Sequence, residues 1–178
     1  GYDMEKKDWV APHGVGVVSD FFVRVDRTDL GGELFTSKFT LSFPNENDGI
    51  IPVLEDAQVP SKLLLGKKAP DDGYQDEYVM IKEVFDKDGF STIRNRPRQS
   101  ELEKLEGFWL RTRSIVNPET GEVEARYGKI LGPISYVTTK EGSGFKLTYF
   151  LSPDNSSSLE WNGESLVVGA YIQGIDKY

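Results

Sequence analysis

Apolar side chains return at every second position in stretch after stretch of this chain, and that spacing limits the fold more than any other feature. In FTSKFTLSF (35–43), Phe35, Phe39, Leu41 and Phe43 fall on one side while Thr36, Lys38, Thr40 and Ser42 fall on the other. Side chains alternate across a strand, so the pattern is that of a strand with one buried and one wet face. Pro44 and the turn residues NENDG end it. Upstream, VGVVSDFFVRVD sets Phe21, Val23 and Val25 against Phe22, Arg24 and Asp26, and RTDLGGE supplies the turn of a first hairpin. YVMIKEVF (78–85) is a further strand, closed by DKDG. Between residues 50 and 72 stand Pro52, Pro60 and Pro70. Proline cannot donate to a ladder, so little regular structure is expected there.

The most specific expectation is the hairpin at VNPETGEV, where Asn117-Pro118 opens a turn and Gly121 takes the positive φ that a bulge after a type I turn requires. Val116 then faces Val123. Counting back places Ser114 opposite Ala125, Thr112 opposite Tyr127, Leu110 opposite Lys129 and Phe108 opposite Leu131. Trp109, Arg111, Arg113, Ile115, Glu124, Arg126 and Ile130 share the reverse face. PISYVTT and FKLTYFL pair across KEGSG, and SSLEW and SLVVGAYIQ across NGE. One helix signal interrupts the strands: SELEKLEG has Ser100 as N-cap, Glu103 three residues on and Gly107 as the stop, giving a short helix near 100–106.

Strands separated by short turns describe an antiparallel β-sandwich, with an up-and-down, lipocalin-like barrel as the alternative. The proline-bearing 50–72 segment breaks the succession a barrel needs and favours the sandwich. The 178 residues suit a single β domain over 13–178, preceded by a polar lead at 1–12. Gly1 stands where an initiator Met would, and GYDMEKKDW reads as the polar stretch after a removed signal or a lipid anchor.

Charge and inventory narrow the chemistry. With 29 acidic against 21 basic side chains the net charge is −8, which opposes nucleic acid and anionic bilayers. The longest apolar runs fall far short of a membrane span. There is no cysteine, hence no disulfide or thiolate, and His13 is the sole histidine, too few for a hydrolytic triad or a zinc site. No metal site and no cofactor are expected, although NENDG, DDGYQDE and DKDG gather oxygen ligands of the kind calcium takes. A pair of carboxylates suffices for glycoside hydrolysis, which keeps a small two-carboxylate hydrolase as one alternative to a chain without enzymatic activity.

Binding chemistry has two candidate seats. Trp109 with Arg111, Arg113 and Arg126 forms an aromatic and cationic face that is either open binding surface or covered by the helix and the long loop, whereas most of the other candidate rings, Trp161, Tyr136, Tyr149 and Tyr171, are expected in the core. RNRPR (94–98) is a basic island flanked by loops, either a solubilising loop paired with the nearby SELEKLE acids or a site where Arg94, Arg96 and Arg98 match sulfate, carboxylate or uronic acid through guanidinium forks. Sugar C–H faces stack on aromatic rings and sugar hydroxyls bond to polar side chains, so a glycan is the ligand these residues suggest, with a surface protein the alternative partner of a structural or adhesin-like module.

The run GFWLRTRSIVNPETGEVEARYGKILGPI, followed by FKLTYFLSP and preceded by KKAPDDGY, resembles secreted lipoproteins of gut Bacteroidetes, the likeness covering residues 67 to 161. It implies an exported, lipid-anchored protein at the periplasm or outer-membrane surface, connected with glycan acquisition. It brings no established activity and no site.

Overall fold

The computed structural model describes residues 1–54 and 68–159 in full and residues 168–175 as backbone. Two very short strands, β1 (Tyr2–Asp3) and β2 (Asp8–Trp9), pair with each other at the amino terminus. They lead into β3 (Phe22–Gly31), β4 (Leu34–Ser42), β5 (Gly49–Leu54), β6 (Glu77–Lys87) and β7 (Phe90–Arg96). A single helical turn, α1 (Gln99–Leu102), separates these from β8 (Leu105–Val116), β9 (Val123–Leu131), β10 (Ser135–Thr138), β11 (Ser143–Leu151) and β12 (Val168–Ile175).

The strands make two antiparallel sheets. One runs β3-β4-β6-β7; the other runs β5-β8-β9-β11, with β10 beside β9 along one edge of β11 and β12 along its other edge. Their inner faces meet in one core, where Phe39, Leu41 and Met80 from the first sheet pack with Phe108, Leu110, Ile130, Phe145, Leu147 and Tyr149 from the second. The protein is therefore an all-β sandwich with one short helix, as the alternation predicts. At about 25 cal/mol per Å² of apolar surface, burying each of these large side chains contributes roughly 1.5–3 kcal/mol.

Register follows the sequence closely where no bulge intervenes. Phe39 and Leu41 are fully buried while their neighbours on the other face are not, and Val116 pairs with Val123 across a turn in which the Gly121 amide donates to the Asn117 carbonyl at 2.8 Å. Deeper into the hairpin the pairing departs from expectation by one residue. Thr112 lies opposite Arg126, Leu110 opposite Gly128 and Phe108 opposite Ile130, because the ladder breaks between Thr112 and Ile115. Arg113 sits at that break with φ 54°, in the left-handed region. The freed amides of Arg113 and Ser114 donate instead to the Asp48 carboxylate, at 3.0 and 2.8 Å. A buried acid just before β5 thus holds the bulge open.

Several other expectations are corrected. Residues 1–12 are no polar lead: Tyr2 and Met4 are buried in the core, Tyr2 stacking on Phe21 at 5.4 Å. Residues 49–54, by contrast, form a short strand at the sheet edge among the described residues, a place where the proline-bearing segment is allowed because Pro52 has no amide to donate. RNRPR is largely strand, since β7 continues through Arg96. The helix is displaced: Arg98 is the N-cap, Glu101 reaches back to the Arg98 amide at 2.9 Å, and β8 resumes at Leu105, so Gly107 lies inside a strand. The proposed strand SSLEW runs past residue 159 and its Trp161 lies outside the described residues, while β12 pairs with β11.

Candidate functional site

Four positions in register cross the inner face of the first sheet: Arg27 on β3 opposite Ser37 on β4, Ser37 opposite Lys82 on β6, and Lys82 opposite Asn95 on β7. The flanking row of Val25, Phe39 and Met80 on the same face is apolar. A polar row inside a sandwich costs free energy unless each group finds a partner. Strand β10 satisfies half of it. Tyr136 Oη lies 3.1 Å from Ser37 Oγ, and Arg27 donates to the Thr138 carbonyl at 3.3 Å while pairing with Asp29 at 2.7 Å.

The other half, Lys82 and Asn95, opens on a cleft of about 470 Å³ between β6, β7 and α1 on one side and β10 with its leading loop on the other. Its base is apolar and buried, formed by Met80, Leu105 and Ile134. Gln99, Glu103 and Ser135 stand at its exposed rim, and Tyr136 forms part of the wall with its ring stacked on Phe39 at 5.3 Å. Concave, mostly apolar sites of this size with a few convergent polar groups are the usual form of small-ligand pockets.

The residues expected to form one aromatic and cationic face are divided by the bulge. Trp109 and Arg111 remain on the outer face of the second sheet, where Trp109 packs with Tyr127, Ala125 and Leu159 and is only 7% exposed. Lys129 Nζ lies 5.2 Å from the Trp109 ring centroid, and burial pulls its pKa down. Arg111 stacks over Tyr74 at 4.2 Å and donates to the carbonyls of Asn47 and Asp71. These contacts make Trp109 and Arg111 cover for the sheet, the second of the two arrangements that the sequence allows.

Arg113 and Arg126 turn instead toward the amino-terminal arm. Arg113 donates to both oxygens of Asp20, at 2.7 and 2.9 Å, and to Asp3 at 2.9 Å, and it pairs with Glu5 at 2.8 Å; Arg126 meets Glu5 at 3.3 Å. Hydrogen bonding to Asp20 raises the Arg113 pKa further. Burial pushes the Asp3 carboxyl up, but the amides of Lys6, Val17 and Val18 together with Arg113 outweigh it and hold the group at about 2. A general acid needs the opposite shift. This cluster clamps the arm to β8.

Arg94 and Arg96 stay together, on the outer face of the first sheet, where both approach Glu83, at 3.4 and 3.8 Å, and Arg94 lies over Phe85 at 4.9 Å. Arg96 also borders the cleft. Among the described residues no three acidic or histidine side chains gather as a metal site, and no helix is long and apolar enough to cross a membrane. The cleft residues Lys82 and Asn95 escaped the sequence reading. The signal was present in Tyr78, Met80, Lys82 and Val84, an inward alternation broken by one cation.

Comparison of the chain with protein-family models, curated proteins and solved structures returns no match.

Proposed function

We propose that this is a non-catalytic binding domain that takes a glycan in the cleft between β6–β7 and β10. The observation that carries the reading is the half-satisfied polar row: β10 caps Arg27 and Ser37 but leaves Lys82 and Asn95 facing a space of ligand size. A sugar ring suits such a space, since its C–H face matches the apolar base while its hydroxyls bond to Asn95, Gln99, Ser135 and Glu103. Glu103 is the one carboxylate lining the cleft among the described residues. That favours binding over hydrolysis, which uses two. The likeness of residues 67–161 to secreted lipoproteins supports an exported, lipid-anchored protein at the periplasm or outer-membrane surface.

The test is a glycan array followed by calorimetry on the wild type, Asn95→Ala and Gln99→Ala. Binding that weakens by about tenfold or more in Asn95→Ala supports the cleft. Glycan binding unchanged in both variants removes the cleft as the site, and no binding to any glycan removes the glycan reading.

A second reading, an adhesin-like protein-interaction module, draws on β7. That strand is the edge of its sheet among the described residues, and Phe90 and Ile93 on it are 75% and 60% exposed. Such edges add strands from partners.

A further inference from the structure

We infer that the ligand of this cleft carries an anionic group, a carboxylate or a sulfate ester, set against Lys82; the inference rests on the cleft being the glycan site. Lys82 is a half-buried inward-facing cation between Met80 and Val84, both buried. Among the described residues no carboxylate comes within ion-pair distance of it, and its ammonium lies 5.8 Å from the Phe35 ring centroid, a ring that Arg27 already covers at 3.7 Å. The neighbouring cations differ in this respect. Arg27 has Asp29, while Arg94 and Arg96 share Glu83. In a chain of net charge −8, acids are plentiful, yet among the described residues none forms an ion pair with this amine.

Removing a cation from water without a counter-ion is unfavourable, and an anion brought by the ligand reverses that balance. Two cations, Lys82 and Arg96, and one carboxylate, Glu103, line the cleft among the described residues; Arg96, like Arg94, pairs with Glu83 on the opposite face, which leaves Lys82 as the cleft cation without an ion-pair partner. Asn95, directly across the ladder, supplies an amide to the same oxygens. A charge-assisted contact in so sheltered a place discriminates charged from neutral ligands by roughly 10- to 100-fold.

The experiment uses an array of oligosaccharides in matched neutral, uronate and sulfated forms, with calorimetry on the wild type, Lys82→Met and Lys82→Arg, each checked for a native thermal transition. The expected result is a preference of roughly 10- to 100-fold for one or both acidic forms, which weakens with salt. That preference persists in Lys82→Arg and disappears in Lys82→Met. The uronate and sulfate arms identify which anion is used. Equal affinity for neutral and acidic forms overturns the inference and leaves the glycan reading standing, as does an acidic preference that survives Lys82→Met. Absence of binding across the whole array overturns both.

Discussion

Arg113 grips Asp20 through two parallel hydrogen bonds, at 2.7 and 2.9 Å, and in doing so ties the bulge of β8 to the segment that enters β3. Asp20 is fully buried and also accepts the Met4 amide at 2.7 Å. The pair is local to neither strand; it closes the end of the sandwich over the amino-terminal arm. Truncating one partner of a buried ion pair leaves an uncompensated charge, which costs about 3–5 kcal/mol. Arg113→Ala is therefore expected to destabilise the protein by that amount, and the Asp20→Ala, Arg113→Ala double variant by less than the sum of the singles. Urea unfolding of the four proteins measures both. A single-variant loss below about 1 kcal/mol would show that the clamp is ornamental to stability.

Asp3 makes the same clamp sensitive to acid. Its carboxyl titrates at about 2 when folded and near 3.8 when exposed, so the unfolded chain takes up the proton first as pH falls. The stabilisation is fully present above the unfolded value and is lost as pH drops from about 4 toward 2. A shift of this size corresponds to roughly 2–3 kcal/mol. Urea midpoints at pH 7, 4 and 2.5 are expected to fall more steeply for the wild type than for Asp3→Asn across the last interval. Parallel curves for the two proteins would contradict this assignment.

The sandwich was legible because alternation reports which face is buried, and Phe39, Leu41 and the Val116–Val123 pair lie where that rule places them. What periodicity cannot report is a residue that leaves the ladder. Arg113 at φ 54° shifts every pair upstream of it by one, and the acid that stabilises the shift, Asp48, lies 65 residues away in sequence. The expected Trp and Arg face therefore splits into an outer pair and an inner pair. Tyr2 and Met4 were hidden for a related reason, since the polar residues around them mask a burial that depends on distant Phe21 and Tyr149. The cleft depends on two sheets meeting imperfectly near α1, and only the odd inward Lys82 marks it in one dimension.

Trp109 now belongs to stability. It is 7% exposed, shielded by Tyr127 and Leu159 and bordered by Lys129. Trp109→Ala removes a large ring from this packed outer layer and is expected to cost about 3–5 kcal/mol. The folded variant should still bind any ligand of the cleft with wild-type affinity, because the two lie on opposite faces of the second sheet. Calorimetric binding measured well below the lowered melting temperature separates the two effects. A folded Trp109→Ala that loses binding would return the site to the outer face.

Gly107 offers the sharpest local test. It lies inside β8, paired with Leu131 of β9 and Val53 of β5, at φ 151°. A Cβ there would meet the Ile130 carbonyl oxygen well inside van der Waals contact, and a backbone atom of a central ladder cannot rotate away. Gly89, in the turn between β6 and β7, has φ 82° but open space around its missing Cβ. Gly89→Ala thus bears conformational strain alone, about 1 kcal/mol, whereas Gly107→Ala adds a steric clash and is expected to lose more than about 3 kcal/mol. Urea midpoints of the two variants decide the matter. Similar losses would mean that β8 can shift away from β9 at this point, and that the close approach of Gly107 to Ile130 does not hold the hairpin's upper end in register.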